Sequence, residues 1–85
     1  MTTVGQEQLL EELRALVAEV LEVEPEELTD TGDFAEEYEA DSLRAIEILA
    51  RIDIAYEVEL PQEELPELRN LRAVHAAFLR HSGQA

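Results

Sequence analysis

Eighty-five residues suffice for one small domain and are too few for two domains with a cleft between them. Six basic residues, all arginine, stand against 21 acidic ones, and the formal net charge of −15 excludes electrostatic attraction to nucleic acid or an anionic membrane surface. No cysteine is present, which excludes disulfides, thiolate catalysis and zinc–thiolate sites, while 46% hydrophobic residues still permit a small core.

Residues Met1 to Gln8 hold no basic segment followed by an apolar one, and no run approaches the length of a membrane span. A bacterial cytoplasmic location is therefore expected, the bacterial part resting on arginine-only usage. From Gln6 to Leu21 the apolar residues Leu9, Leu13, Leu16, Val17 and Val20, widened by Leu10 and Leu21, predict an amphipathic helix of about four turns. It ends before Pro25. The acidic stretch that follows, up to Ala40, keeps Val23, Leu28, Phe34 and Tyr38 as apolar anchors and so reads as a long ordered loop.

Asp41 is a good N-cap, and the chain turns helical again through about Tyr56 with no Gly or Pro inside. Ala45, Ile48, Leu49, Ile52, Ala55 and Tyr56 form the stripe expected to face the core. A second set, Leu43, Ile46, Ala50 and Ile54, lies on an adjacent face among Glu47, Asp53 and Glu57, and a helix apolar on two sides in so small a domain is expected to offer one to a partner. Val58, Leu60 and Pro61 close this helix. Gln62 to Leu68 reads as at most a short helical turn interrupted by Pro66. Asn70 caps a last helix with Leu71, Val74, Phe78 and Leu79 inward, ended by Ser82 and Gly83. The expected fold is all-α: a small four-helix bundle of three main helices and one short one, a single domain over residues 1–85 with its core in 6–80, and expected to be a monomer.

Ser42 occupies the first helical position after Asp41, where unsatisfied backbone N–H groups and the positive end of the helix dipole favour a negative charge. The dipeptide alone reads as a simple capping pair; it is also where a phosphodiester on the hydroxyl would be stabilised. Its surroundings, Phe34-Ala-Glu-Glu-Tyr-Glu-Ala-Asp-Ser-Leu43, resemble the phosphopantetheine attachment segment of acyl carrier proteins, Phe-x-Glu-Asp-Leu-Gly-Ala-Asp-Ser-Leu. Ile46-Glu47 matches the Val-Glu that follows the serine there, Asp53 falls on a glutamate of the family, and Val58-Glu-Leu-Pro61 with Gln-Glu-Glu64 is similar to Ile-x-Ile-Pro-Asp-Glu-Glu. Asn70-Leu71 replaces the usual Thr-Val. The likeness spans roughly residues 6 to 80.

This resemblance implies a carrier without chemistry of its own. A phosphopantetheinyl transferase would move 4′-phosphopantetheine from coenzyme A onto Ser42, flanked by Asp41 and Leu43, and the arm's thiol would hold acyl groups as thioesters. Its further partners would be an acyltransferase, a ketosynthase or other carrier-dependent enzymes with basic docking patches. They would meet Leu43, Arg44, Ile46, Glu47, Ala50, Arg51, Asp53, Ile54 and Glu57. The Asp41 before the serine favours an acyl over an aminoacyl carrier. The chain begins at a methionine and ends just past its last helix, so a free-standing carrier is expected, with an excised synthase module as the alternative.

The chain departs from the family at several positions. Glu39 stands where the family has glycine and Tyr38 where it has leucine, so the loop before Ser42 is expected to differ if that glycine uses a positive φ. Arg44 and Arg51 put positive charge on a helix that is mostly acidic there in the family, and Ile54 stands where an acid is expected. These changes favour polyketide or related secondary-metabolite synthesis over housekeeping fatty-acid synthesis, which stays the alternative. From another class, an acidic non-catalytic protein mimicking nucleic acid would also be a small acidic bundle, with no use for the Ser42 hydroxyl. Asp30, Asp33, Glu36 and Glu37 lack the ligand spacing of a calcium loop and read as a solvated acidic face, so no metal is expected. His75 and His81, six apart, do not converge on a metal; His75 is expected half-buried at the rim of the core. A Ser42–His75–acid hydrolase is disfavoured by the lack of a Gly-x-Ser-x-Gly elbow and of any sheet pattern.

Overall fold

The computed structural model describes residues 2–82, with side chains from residue 7 onward. Four α-helices follow one another: α1 (Thr2–Leu21), α2 (Phe34–Tyr38), α3 (Ser42–Tyr56) and α4 (Leu71–His81), with 3₁₀ turns at Pro25–Glu27 and Gln62–Glu67. No strand occurs among the described residues. The three long helices stand as the apolar periodicity predicts.

Leu13 and Val17 of α1, Ile52 of α3 and Leu71 of α4 are fully buried, and Leu28, Phe34, Leu60 and Leu68 bring the connections onto the same core. Each such side chain contributes roughly 1.5–3 kcal/mol by leaving water. Truncating Ile52 to Ala would cost about 2–5 kcal/mol, since the close-packed neighbours relax only in part.

Three details differ from the expectation. The first helix begins a turn earlier, at Thr2. Ala55, expected in the core stripe, is exposed: the i+3 step turns it about 60° around the helix from Ile52, to the edge of the stripe on the side away from Leu49 and Tyr56. The connection read as a continuous loop contains a 3₁₀ turn and α2, while the short helix expected after Pro61 is a 3₁₀ segment, with Pro66 inside it unable to donate a backbone bond. Of the pair expected to end the last helix, Ser82 N–H bonds to Phe78 O and Gly83 lies outside the described residues.

The connection from α1 to α2 is ordered by polar stitches as well as by its apolar anchors. Arg14 reaches across to Leu28 O and Asp30, while Tyr38 Oη donates to Glu27 O at 2.8 Å and accepts from Thr29 N. Asp30 O takes the Arg72 N–H at 2.9 Å, and Phe34 N–H donates to Arg69 O at 2.7 Å. The start of α2 is thus fixed to the start of α4, and α2 delivers the chain to α3.

Candidate functional site at the head of α3

Asp41, with extended backbone, caps α3 by accepting the Arg44 N–H on Oδ1 at 3.0 Å, and its carbonyl takes the first helical bond from Ala45. Ser42 is the first helical residue and is exposed. Among the described residues its hydroxyl has no hydrogen-bond partner, and no acceptor meets the N–H groups of Ser42 or Leu43. The site therefore combines an accessible hydroxyl, two unused donors and the positive end of a 15-residue helix. An O-linked phosphodiester fits that chemistry.

The approach to Ser42 is set by α2. Asp33 Oδ1 accepts from Ala35 N and Glu36 N, and these bonds, the one from Glu36 foremost and Arg69 after it, hold the Asp33 carboxyl below its ordinary pKa. At the far end Glu39 takes up the left-handed conformation, φ 57° and ψ 33°, and Ala40 N–H closes onto Phe34 O. A positive φ is therefore used at the position where a glycine was expected, and a glutamate adopts it. Asp33-Phe-Ala-Glu36 is a capping-box pattern that would have revealed α2 in the sequence.

A cleft of about 530 Å³ opens beside Ser42 between α2, the first turns of α3 and the end of the 3₁₀ segment. Phe34, Ala45, Ile48, Leu65 and Leu68 give it an apolar lining; Asp33 and Arg69 also border it. Nothing in the sequence pattern announced this cleft, because residues 65–69 close it against residues 33–48 from a separate part of the chain.

The residues expected to meet partners divide into four groups. Leu43 (73% exposed) and Ile54 (80%) form an open stripe with Ala50, with Glu47 and Asp53 exposed beside it. Ile46 is half-buried and, with Ala50, Asp53 and Pro61, lines a second groove of about 360 Å³. Glu57 is the left-handed cap of α3. Arg44 and Arg51 behave otherwise than expected of charges held out for a partner: Arg44 Nη1 donates to Val20 O at 2.6 Å and Nη2 approaches Glu22 at 3.5 Å, while Arg51 approaches Glu19 at 3.5 Å. Both turn toward α1 because its last turn offers free carbonyls and acids there.

No group of His, Asp and Glu that could hold a metal occurs among the described residues. His81 pairs with Glu64 at 2.9 Å, away from His75, and burial holds His75 below the ordinary histidine pKa with its Nε2 unpartnered. Tyr56 packs edge-on against Phe78 at 5.2 Å and donates to Glu12 Oε1 at 2.9 Å; burial, with that bond, pushes its phenol up to about 12.

Residues 11–78 match the family model described as "Phosphopantetheine attachment site". The chain is 42% identical over 65 residues to polyketide-8 synthase acyl carrier protein 1 of Streptomyces avermitilis, covering 76% of this chain and 77% of the relative. It is 36% identical over 70 residues to an acyl carrier protein of Thermosynechococcus vestitus (82% and 86%), and 36% identical over 66 residues to one of Rhodococcus erythropolis (78% and 72%).

Proposed function

The chain belongs to the acyl carrier protein family, and from that premise we propose that Ser42 is the residue that takes its 4′-phosphopantetheine arm. The protein is a carrier and not an enzyme, and family membership decides for this reading over an acidic mimic of nucleic acid. When bound, the arm supplies a terminal thiol that holds acyl groups as thioesters. The carrying observation is the exposed Ser42 hydroxyl at the first position of α3, next to unused N–H donors.

The residues around it have distinct tasks. Ser42 and Leu43 offer backbone N–H groups to phosphodiester oxygens, and Asp41 fixes the turn that presents them by holding Arg44 N–H. The apolar cleft beside Ser42 excludes water from part of the cargo. A phosphopantetheinyl transferase loads the arm, and acyltransferase or ketosynthase partners dock on Leu43, Ile46, Ala50 and Ile54, steered by Glu47, Asp53 and Glu57. The working form is a monomer of the bacterial cytoplasm; no helix among the described residues is long and apolar enough to cross a membrane.

The pathway we assign is polyketide or related secondary-metabolite synthesis. The names of the Streptomyces relatives at 42% identity support it, as does the replacement of surface acids by Ile54 and by arginines. Incubation with coenzyme A and a broad-specificity phosphopantetheinyl transferase should add one arm by intact mass, and Ser42→Ala, still folded, should gain nothing. Modification at Ser82 instead would overturn the attachment site. Offered to a polyketide ketosynthase and to a fatty-acid one, the malonyl-loaded protein should serve the first with the higher kcat/KM; the reverse order would assign it to fatty-acid synthesis.

A further inference from the structure

Among the described residues Arg69 is the only cation bordering the cleft beside Ser42, where the other polar side chains are acidic or Ser42 itself. Its Nε donates to Asp33 Oδ2 at 2.8 Å and its Nη2 stands 2.7 Å from the same oxygen. Asp33 is itself immobilised, since its other oxygen accepts the two N–H groups that open α2, and Arg69 O takes the Phe34 N–H. The guanidinium is therefore held from both ends of its residue. Nη1 has no acceptor among the described residues, and the side chain is 63% exposed. A fork of five donors that uses one edge on a carboxylate keeps the other edge for further oxygens.

Resting on the reading that Ser42 bears the arm and the cleft shelters its cargo, the geometry points to Arg69 as a specificity-determining residue. Its free edge receives the carbonyl oxygens of an acyl chain oxygenated along its length, and Asp33 is the positioning residue that sets its direction. A saturated chain meets the same apolar wall, Leu65, Leu68 and Ile48, and gains nothing from the guanidinium. An apolar cleft alone would favour the saturated chain, because an unpartnered carbonyl is costly to desolvate. One oriented donor at the border reverses that preference.

The test loads the full chain at Ser42 with a β-keto chain or with the saturated chain of equal length, and reads two quantities. These are the amide NMR shifts of Leu65, Leu68 and Arg69, and the rate at which excess small thiol displaces the cargo. Because the arm is common to both, a variant effect that differs between the two cargos reports the cargo. Arg69→Gln should release the β-keto chain roughly 3- to 10-fold faster and leave the saturated rate unchanged, as expected for one charge-assisted hydrogen bond at a partly exposed site. Asp33→Asn, which can still cap α2, should give a smaller effect of the same sign, and Arg69→Lys should restore the protection in part. Equal acceleration of both cargos by Arg69→Gln, or of neither, would overturn the proposal. Absence of a mass gain on loading would overturn attachment at Ser42, and a saturated chain that moves none of the three amides would overturn the sheltering cleft, so failure of the premise is distinguishable from failure of the role given to Arg69.

Discussion

Arg44 of α3 donates to the carbonyl of Val20, in the last turn of α1, at 2.6 Å. A helix C-terminus carries carbonyls without intrahelical partners and partial negative charge, and a guanidinium satisfies both. The first turn of α3, which presents Ser42, is therefore fastened to α1 by the side chain two residues after the serine.

Arg44→Met should accordingly lower stability by about 1–2 kcal/mol, at the low end of the range for hydrogen bonds to charged groups because the side chain is part-exposed, with the apolar stem kept. Chemical denaturation with an unchanged m-value is the check. Arg44→Asp should cost more, since it also sets a carboxylate beside Glu22.

Glu22, Glu39 and Glu57 each sit just past a helix with φ of 62°, 57° and 57°. A side chain in the left-handed region is destabilised by crowding of Cβ against the following carbonyl. Glu39→Gly should stabilise the fold by about 0.5–1 kcal/mol, the relief being partly offset by the greater freedom of glycine in the unfolded chain. It also removes one negative charge, so Glu39→Gln, expected to gain far less, separates the backbone effect from the electrostatic one in parallel melts.

His75 is held below its ordinary value of 6.5 by burial, and its Nε2 is buried without a partner. As pH falls through 6.5 the unfolded chain binds a proton that the folded ring refuses, so this residue removes stability on acidification until the folded ring also protonates. Above pH 6.5 it contributes no slope. His75→Leu should raise stability by about 1 kcal/mol at neutral pH by removing an unsatisfied buried nitrogen. Its advantage over the parent should widen between pH 7 and 5, which denaturation at each pH measures.

With a formal charge of −15, the folded chain repels itself more than the expanded one does. The melting temperature should rise with ionic strength, because screening relieves that repulsion more than it weakens exposed ion pairs such as Arg80–Glu64 and Arg51–Glu19. A falling melting temperature would show that the pairs dominate.

Glu47 is exposed on the open stripe of α3 and has no partner among the described residues. Glu47→Lys should slow acyl transfer with the cognate synthase severalfold while leaving the melting temperature almost unchanged, and added salt should narrow the gap. Glu7→Lys on α1 serves as the control. If Glu7→Lys slows transfer and Glu47→Lys does not, docking uses the α1 side.

The three long helices and the placement of Ser42 behind its Asp41 cap were determined by sequence, since a 3.6-residue apolar period and an Asp before a helical run are local signals. The attachment motif is equally local. Where a side chain turns across the fold is another matter. Arg44 and Arg51 look alike on a helical wheel, as free charges beside Leu43 and Ile54, and only the packing of α1 against α3 supplied Val20 O, Glu22 and Glu19 as their partners. The left-handed turn at Glu39 was decided by closure of α2 onto Ala40, which imposes on a glutamate a conformation that its own preference opposes. The cleft beside Ser42 belongs wholly to tertiary structure. Phe34, Ile48 and Leu65 meet there through three different segments, and Arg69 is brought to Asp33 across 36 positions of sequence, a separation over which chain-local patterns carry no information.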